Sequence, residues 1–139
     1  MAAKKSIKKA KADAWKEFSR FIRLRDSMLT TGTQTHCVCV TCGKTVESFG
    51  GMLHAGHVIP SRAAGILFDE KAVHGQCRNC NYADGKQAEY VAWFISVYGE
   101  KKYYDMVRRK NTPHNWRISE LEAIKEKYKS KANRLMGGQ

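Results

Sequence analysis

Two Cys-x-x-Cys pairs, Cys39-Val-Thr-Cys42 and Cys77-Arg-Asn-Cys80, stand about 34 residues apart in a chain of 139 residues. No other feature restricts the fold as strongly. Each pair has the spacing of a zinc knuckle, a tight turn whose backbone N–H groups point at the sulfurs, and four such thiolates can close a tetrahedral structural zinc site. A closed site leaves no coordination position for substrate, so its role is to pin the segment 43–76 between two fixed ends. Cys37 stands too close to Cys39 to join the same knuckle without distorting it, and reads as a spectator or a substitute ligand.

The start M-A-A-K-K-S-I-K-K-A-K leads into an amphipathic stretch and not into a continuous apolar one, so no secretory signal is apparent and a cytoplasmic location is the expectation. In a reducing compartment five cysteines favour metal over disulfides. No apolar run approaches the roughly 18 residues of a membrane span. The length is that of one ordinary domain, small enough to benefit from a metal staple. A net charge of +12, from 25 Lys and Arg against 13 Asp and Glu, makes nucleic acid the expected partner, although basic chains are also often merely soluble.

Residues 1–12 carry Lys4, Lys5, Lys8, Lys9 and Lys11 without an acid and read as a basic flexible arm or a solvated tail; 13–139 reads as a single domain. Asp13 is placed to cap a helix in which Trp15, Phe18, Ile22 and Leu29 recur at helical spacing, ended by the turn chemistry of 30–35. M-L-H-A-G-H-V-I-P at 52–60 reads as a short strand followed by the loop S-R-A-A-G. A helix is expected over 82–98, stopped by Gly99, then another over roughly 101–110. Ser119-x-x-Glu122 reads as a capping box opening a last helix with Leu121, Ile124, Tyr128 and Leu135 as its stripe.

Asn81 directly follows the second knuckle, and an amide adds nothing to thiolate zinc. A histidine on a strand, here His57 in A-G-H, followed by a turn and an asparagine opening a helix, resembles the ββα-metal or HNH-type nuclease site. That resemblance implies His57 as general base on water and Asn81 as an oxygen ligand to a second, hard cation, Mg²⁺ or Mn²⁺. The chemistry suits the residue types. Imidazole titrates near neutrality, and a hard cation prefers oxygen donors, keeps several waters, and stabilises the charge that builds on the phosphate and leaving oxygen.

R-L-R-D at 23–26, C-V-T-C-G at 39–43, A-G-H at 55–57, H-G-Q-C-R-N-C-N at 74–81 and Y-G at 98–99 together resemble the phage lambda NinG (Rap) recombination-protein family, over about residues 15–105. The resemblance implies an α+β, zinc-stapled, HNH-like (His-Me finger) fold and an endonuclease acting on branched recombination intermediates such as Holliday junctions, in the host cytoplasm. The layout is also similar to that of phage endonuclease VII. Two positions depart from the pattern. Gly56 stands where sites of that type carry an Asp ligand, and Ala72 stands where the family has a loop-bracing Asn.

Residues two apart on a strand share a face, so His54 is the candidate to supply the missing ligand, with His74 as the other. Either histidine could instead be an ordinary hydrogen-bonded one. Asp84 and Lys86 fall near a helix start and could hold a phosphate or a water, or be solvated. Arg23, Arg62, Lys86 and Arg108 are the candidates to grip DNA. The expected function is metal-dependent hydrolysis of DNA phosphodiesters; the rival is a zinc-stapled binding module that docks on branched DNA and cuts nothing. A nuclease acting on RNA or without structure preference would differ only in substrate. Symmetric cutting of a junction would call for a homodimer, for which no coiled-coil seam is visible.

Overall fold

Ser6 sets the first boundary. Its hydroxyl accepts the N–H of Lys9 at 3.1 Å and caps helix α1, Ile7–Thr31, which ends where Gly32 adopts φ 73° and returns its N–H to the carbonyl of Met28. The computed structural model describes residues 6–59, 64–82 and 86–137. Helix α1 thus begins well before Asp13 and takes up much of the expected arm. Lys8, Lys9 and Lys11 are helical, Asp13 pairs with Lys9 at 3.0 Å instead of capping, and Lys4 and Lys5 lie outside the described residues. The early start has a packing reason, because Ala10 and Ala14 are buried against Leu121 of the last helix. Leu29, counted in the apolar series, is 77% exposed.

Two small antiparallel sheets follow. Strand β1, His36–Val38, pairs with β2, Thr45–Glu47, and the first knuckle turns between them. Strand β3, Leu53–His57, pairs with β4, Val73–Cys77, in a register that sets His54 opposite Gln76 and Gly56 opposite His74. The knuckle reaches β4 through the N–H of Val40, which donates to the carbonyl of Gly75 at 3.0 Å.

A short helix α2, Arg78–Asn81, comes next and then α3, Gln87–Tyr98, where the sequence suggested one helix over 82–98. Asn81 therefore ends a four-residue helix and does not open a long one. Helix α4, Glu100–Lys110, and α5, Ile118–Leu135, complete the chain. The box of α5 sits two residues before the expected one: the Glu120 carboxylate accepts the N–H of Arg117 at 3.0 Å. Phe18 of α1 meets Tyr128 of α5 edge-on at 4.7 Å, and Tyr90, Phe94 and Met106 from α3 and α4 close the same core over Ala55 and Val73 of the sheet. The result is a mixed α+β architecture. Among the described residues no helix is long and apolar enough to cross a membrane.

One buried carboxylate joins α1 to the sheet. Asp26 is 7% exposed, accepts the N–H of Gly75 at 2.7 Å, and is held by Arg25 at 2.8 Å, while Arg25 also donates to the carbonyls of Glu70 and Val73. The R-L-R-D string is thus architectural at its second arginine and aspartate. Removing the carboxylate strands a buried N–H and uncouples Arg25. Asp26→Ala is expected to lower the unfolding free energy by about 3 kcal/mol in urea denaturation, and Asp26→Asn, which keeps an acceptor, by clearly less. A loss under about 0.5 kcal/mol in Asp26→Ala would show that this carboxylate does not hold the strand.

Candidate metal centres and the Gly56 notch

The first knuckle folds because Gly43 returns its N–H to the carbonyl of Cys39 at 3.0 Å, and Cys39 donates its own N–H to Lys44 at 2.7 Å. The second docks on it: the N–H of Cys77 points at the Cys39 sulfur, 3.2 Å away. The four sulfurs of Cys39, Cys42, Cys77 and Cys80 all lie within 4.8 Å of one another. Zn–S bonds of about 2.3 Å in a tetrahedron put sulfurs about 3.8 Å apart. Cys42 and Cys77 are at 3.8 Å, so the set fits a structural zinc.

The electrostatics of the cluster are uneven. Burial opposes ionisation of Cys39, but the N–H of Cys77, the Thr41 hydroxyl and the N–H groups of Cys42 and Thr41 outweigh it and hold the thiol at about 6. Burial, with Cys77, Cys42 and Cys39 alongside, pushes Cys80 up to about 12. A divalent cation is what would let all four ionise together. Cys37 is fully buried in β1, takes a long contact from Thr30 at 3.8 Å, and stands outside the four-sulfur set.

Beyond the sulfurs the site is built around Gly56. Its φ is not positive, so the glycine answers a demand for space. A Cβ there would come within 3.0 Å of both the Gln76 and the Asn81 side-chain oxygens. Asn81 is turned this way by His54, whose Nδ1 accepts from Asn81 Nδ2 at 3.0 Å. His54 therefore engages the amide that it was expected to accompany as a ligand. Gln76, which sequence reasoning passed over, is 1% exposed and donates through Nε2 to Thr41 Oγ1 and to the carbonyl of Cys80, both at 3.4 Å. Thr41 also lies 3.3 Å from the Cys39 sulfur, so one chain of contacts runs from the sulfur cluster to the notch.

His57 is the next residue, and strand alternation turns it to the other side. Its ring stacks on Trp15 of α1 at 5.3 Å with 16° between planes, and its Nε2 donates to the Leu67 carbonyl at 3.2 Å. That bond fixes the proton on Nε2 and leaves the lone pair on Nδ1 in the neutral ring. Alternation along β3 thus turns the His57 ring to the face opposite the Gly56 notch, which Asn81 adjoins. Beside Trp15 runs a groove of about 580 Å³ lined by Ile7, Lys8, Lys11, Ala12, Trp15 and Leu67.

A sequence model of the family described as Bacteriophage Lambda NinG protein matches residues 1–137. The chain belongs to the NinG family. It is 32% identical over 117 residues to Protein ninG of Escherichia phage 933W and, over the same length, to Protein ninG of Salmonella phage P22, in each case covering 83% of this chain and 52% of the relative. The chain spans about half the length of the relatives it matches. No solved structure matches it significantly.

The other candidates of this NinG chain are dispersed. His74 is 5% exposed, hydrogen-bonded to Tyr98 at 3.1 Å and Tyr90 at 3.4 Å, and packed on Trp93; burial lowers its pKa to about 4. It braces α3 against the sheet. Arg23 lies over the Phe49 ring at 4.7 Å, and burial lowers its pKa. Arg108 pairs with Asp105 on α4. Lys86 adopts φ 54° just before α3. Arg62 and Asp84 lie outside the described residues. Ala72 is buried and donates its N–H to Asp69, whose carboxylate and carbonyl organise this turn without the family's asparagine.

Metal analysis tests the sulfur assignment. One zinc per chain is expected, kept in Cys37→Ala and lost in Cys80→Ser. Far-UV circular dichroism should stay largely helical after zinc removal, because Phe18–Tyr128 and the Ala10, Ala14 and Leu121 cluster join α1 to α5 without a cysteine. Loss of zinc in Cys37→Ala would overturn the four-sulfur assignment.

Proposed function

We propose that this NinG chain is a metal-dependent endodeoxyribonuclease of HNH (His-Me finger) type, acting on branched recombination DNA of the Holliday-junction kind. The observation that carries the reading is the Gly56–His57 step. One residue offers a notch gathering amide oxygens, and the next presents an imidazole whose tautomer a backbone carbonyl selects. In-line displacement at phosphorus needs the attacking water and the leaving oxygen on opposite sides, so the reading requires the His57 ring and the Asn81 oxygen to reach one phosphate past the end of β3.

In this reading the neutral His57 ring takes the proton of the attacking water at Nδ1, while Nε2–H on Leu67 and the Trp15 face keep the imidazole from rotating. Asn81 offers Oδ1 as an oxygen donor, and His54 orients its amide. A bound Mg²⁺ or Mn²⁺ would supply charge stabilisation for the phosphate and leaving oxygen. Lys8 and Lys11, in the groove beside Trp15, are suited to the DNA backbone on the His57 side. The structural zinc does no chemistry and holds the notch in shape.

A second reading is favoured by one feature: the groups nearest the notch, Gln76 and Asn81, are neutral amides, and Gly56 stands where the resemblance implies an acid. In that reading the chain binds branched DNA without cutting it. Four-way junctions, flaps and plain duplex, incubated with the protein with and without Mg²⁺ or Mn²⁺, separate the two. Cleavage of junctions that needs the cation, and that falls by about 10²–10⁴ in His57→Ala while junction binding persists, is the expected result. Binding without nicking in either cation would leave only the module.

A further inference from the structure

We infer that Gln76 is a second oxygen ligand of the hard cation, sharing it with Asn81 across the notch of Gly56. The inference rests on the cation-dependent reading above and adds a residue that no motif points to. Gln76 is buried in the middle of β4, where an apolar residue would be the simpler choice. Its amide nitrogen is committed to Thr41 and to the carbonyl of Cys80. With that end fixed, Oε1 is the end turned to Gly56.

Asn81 Oδ1 arrives at the same place from α2, within 3.0 Å of where a Cβ on residue 56 would sit. The two carbonyl oxygens thus occupy the space that a side chain of residue 56 would fill, and two carbonyl dipoles ending beside each other favour a cation next to them, on the side away from Gly56. Adjacent oxygen ligands of an octahedral Mg²⁺ at about 2.1 Å lie about 3 Å apart, and the assignment requires the two amide oxygens to take that spacing when the cation binds. Residue 56 has no room for a side chain because the oxygen is brought from across the sheet.

Both donors are neutral. The cation's charge must then be met by the DNA phosphate, so the cation is expected to bind weakly to the protein alone and much more tightly in its complex with DNA. A carboxylate at position 76 would supply that charge from the protein.

Mn²⁺ binding followed by electron paramagnetic resonance tests this on the full, zinc-loaded chain, alone and with a four-way junction in the His57→Ala background. Gln76→Met, of similar length but without the oxygen, should weaken Mn²⁺ binding to the junction complex at least tenfold. Gln76→Glu should tighten binding to the free protein at least tenfold, and this second variant carries the test if Gln76→Met fails to keep its zinc. Unchanged Mn²⁺ affinity in zinc-loaded Gln76→Met, or no gain in Gln76→Glu, overturns the assignment. The nuclease reading fails separately, on the absence of junction cleavage by the unsubstituted chain, and the binding titration does not depend on turnover.

Discussion

The sulfur cluster is the interaction on which the rest of this structure depends. It joins a turn between two three-residue strands to the C-terminal end of β4, elements too short to hold position on their own. Two connections pass outward from it. One is covalent, since Asn81 follows Cys80 directly; the other runs from the Cys39 sulfur through Thr41 to the Gln76 amide. Both oxygens at the Gly56 notch are thus positioned by the turn that carries the sulfur cluster. A zinc held there would set the geometry at which a hard cation would be held.

The helices provide the counterpart on the other side of β3. Helix α1 contributes Trp15 as the face against which His57 stacks, and α5 fixes α1 through Phe18–Tyr128 and the Ala10, Ala14 and Leu121 cluster. The buried Asp26–Arg25 pair ties α1 to β4 at Gly75, one residue from Gln76. The two sides of the strand end are therefore braced by different elements, the sulfur cluster on one and helix packing on the other, which meet at Gly75 of β4. Such bracing is useful where reacting groups must be held with little freedom to move.

Much of this was legible in the sequence, because local chemistry dictates it. The two knuckles, the Gly32 and Gly99 stops and the strand carrying His54 and His57 follow from spacing and turn residues. What escaped has physical causes. Ser6 gives no sign of a helix start in the sequence, because lysines surround it, and what extends α1 back to it is the burial of Ala10 and Ala14 against a partner more than a hundred residues away. The capping box differs from its pattern because Ser119 fits the usual residue type while Arg117, an unusual cap residue, takes the role through its backbone N–H. Gln76 carried no motif. Its importance comes from a cross-sheet approach to Gly56, which only the register of β3 and β4 reveals. The one signal available was a glycine at a strand position where a ligand was expected.

The NinG relatives are about twice the length matched, so this chain spans about half of them. What we propose at the centre is that this chain would hold two chemically different ions. Anomalous diffraction from crystals of the protein with junction DNA and Mn²⁺, collected on both sides of the zinc and manganese absorption edges, tests it most directly. The account predicts zinc among the four sulfurs and manganese about 2.1 Å from Asn81 Oδ1. Manganese absent from the notch, or bound only among the sulfurs, would contradict it.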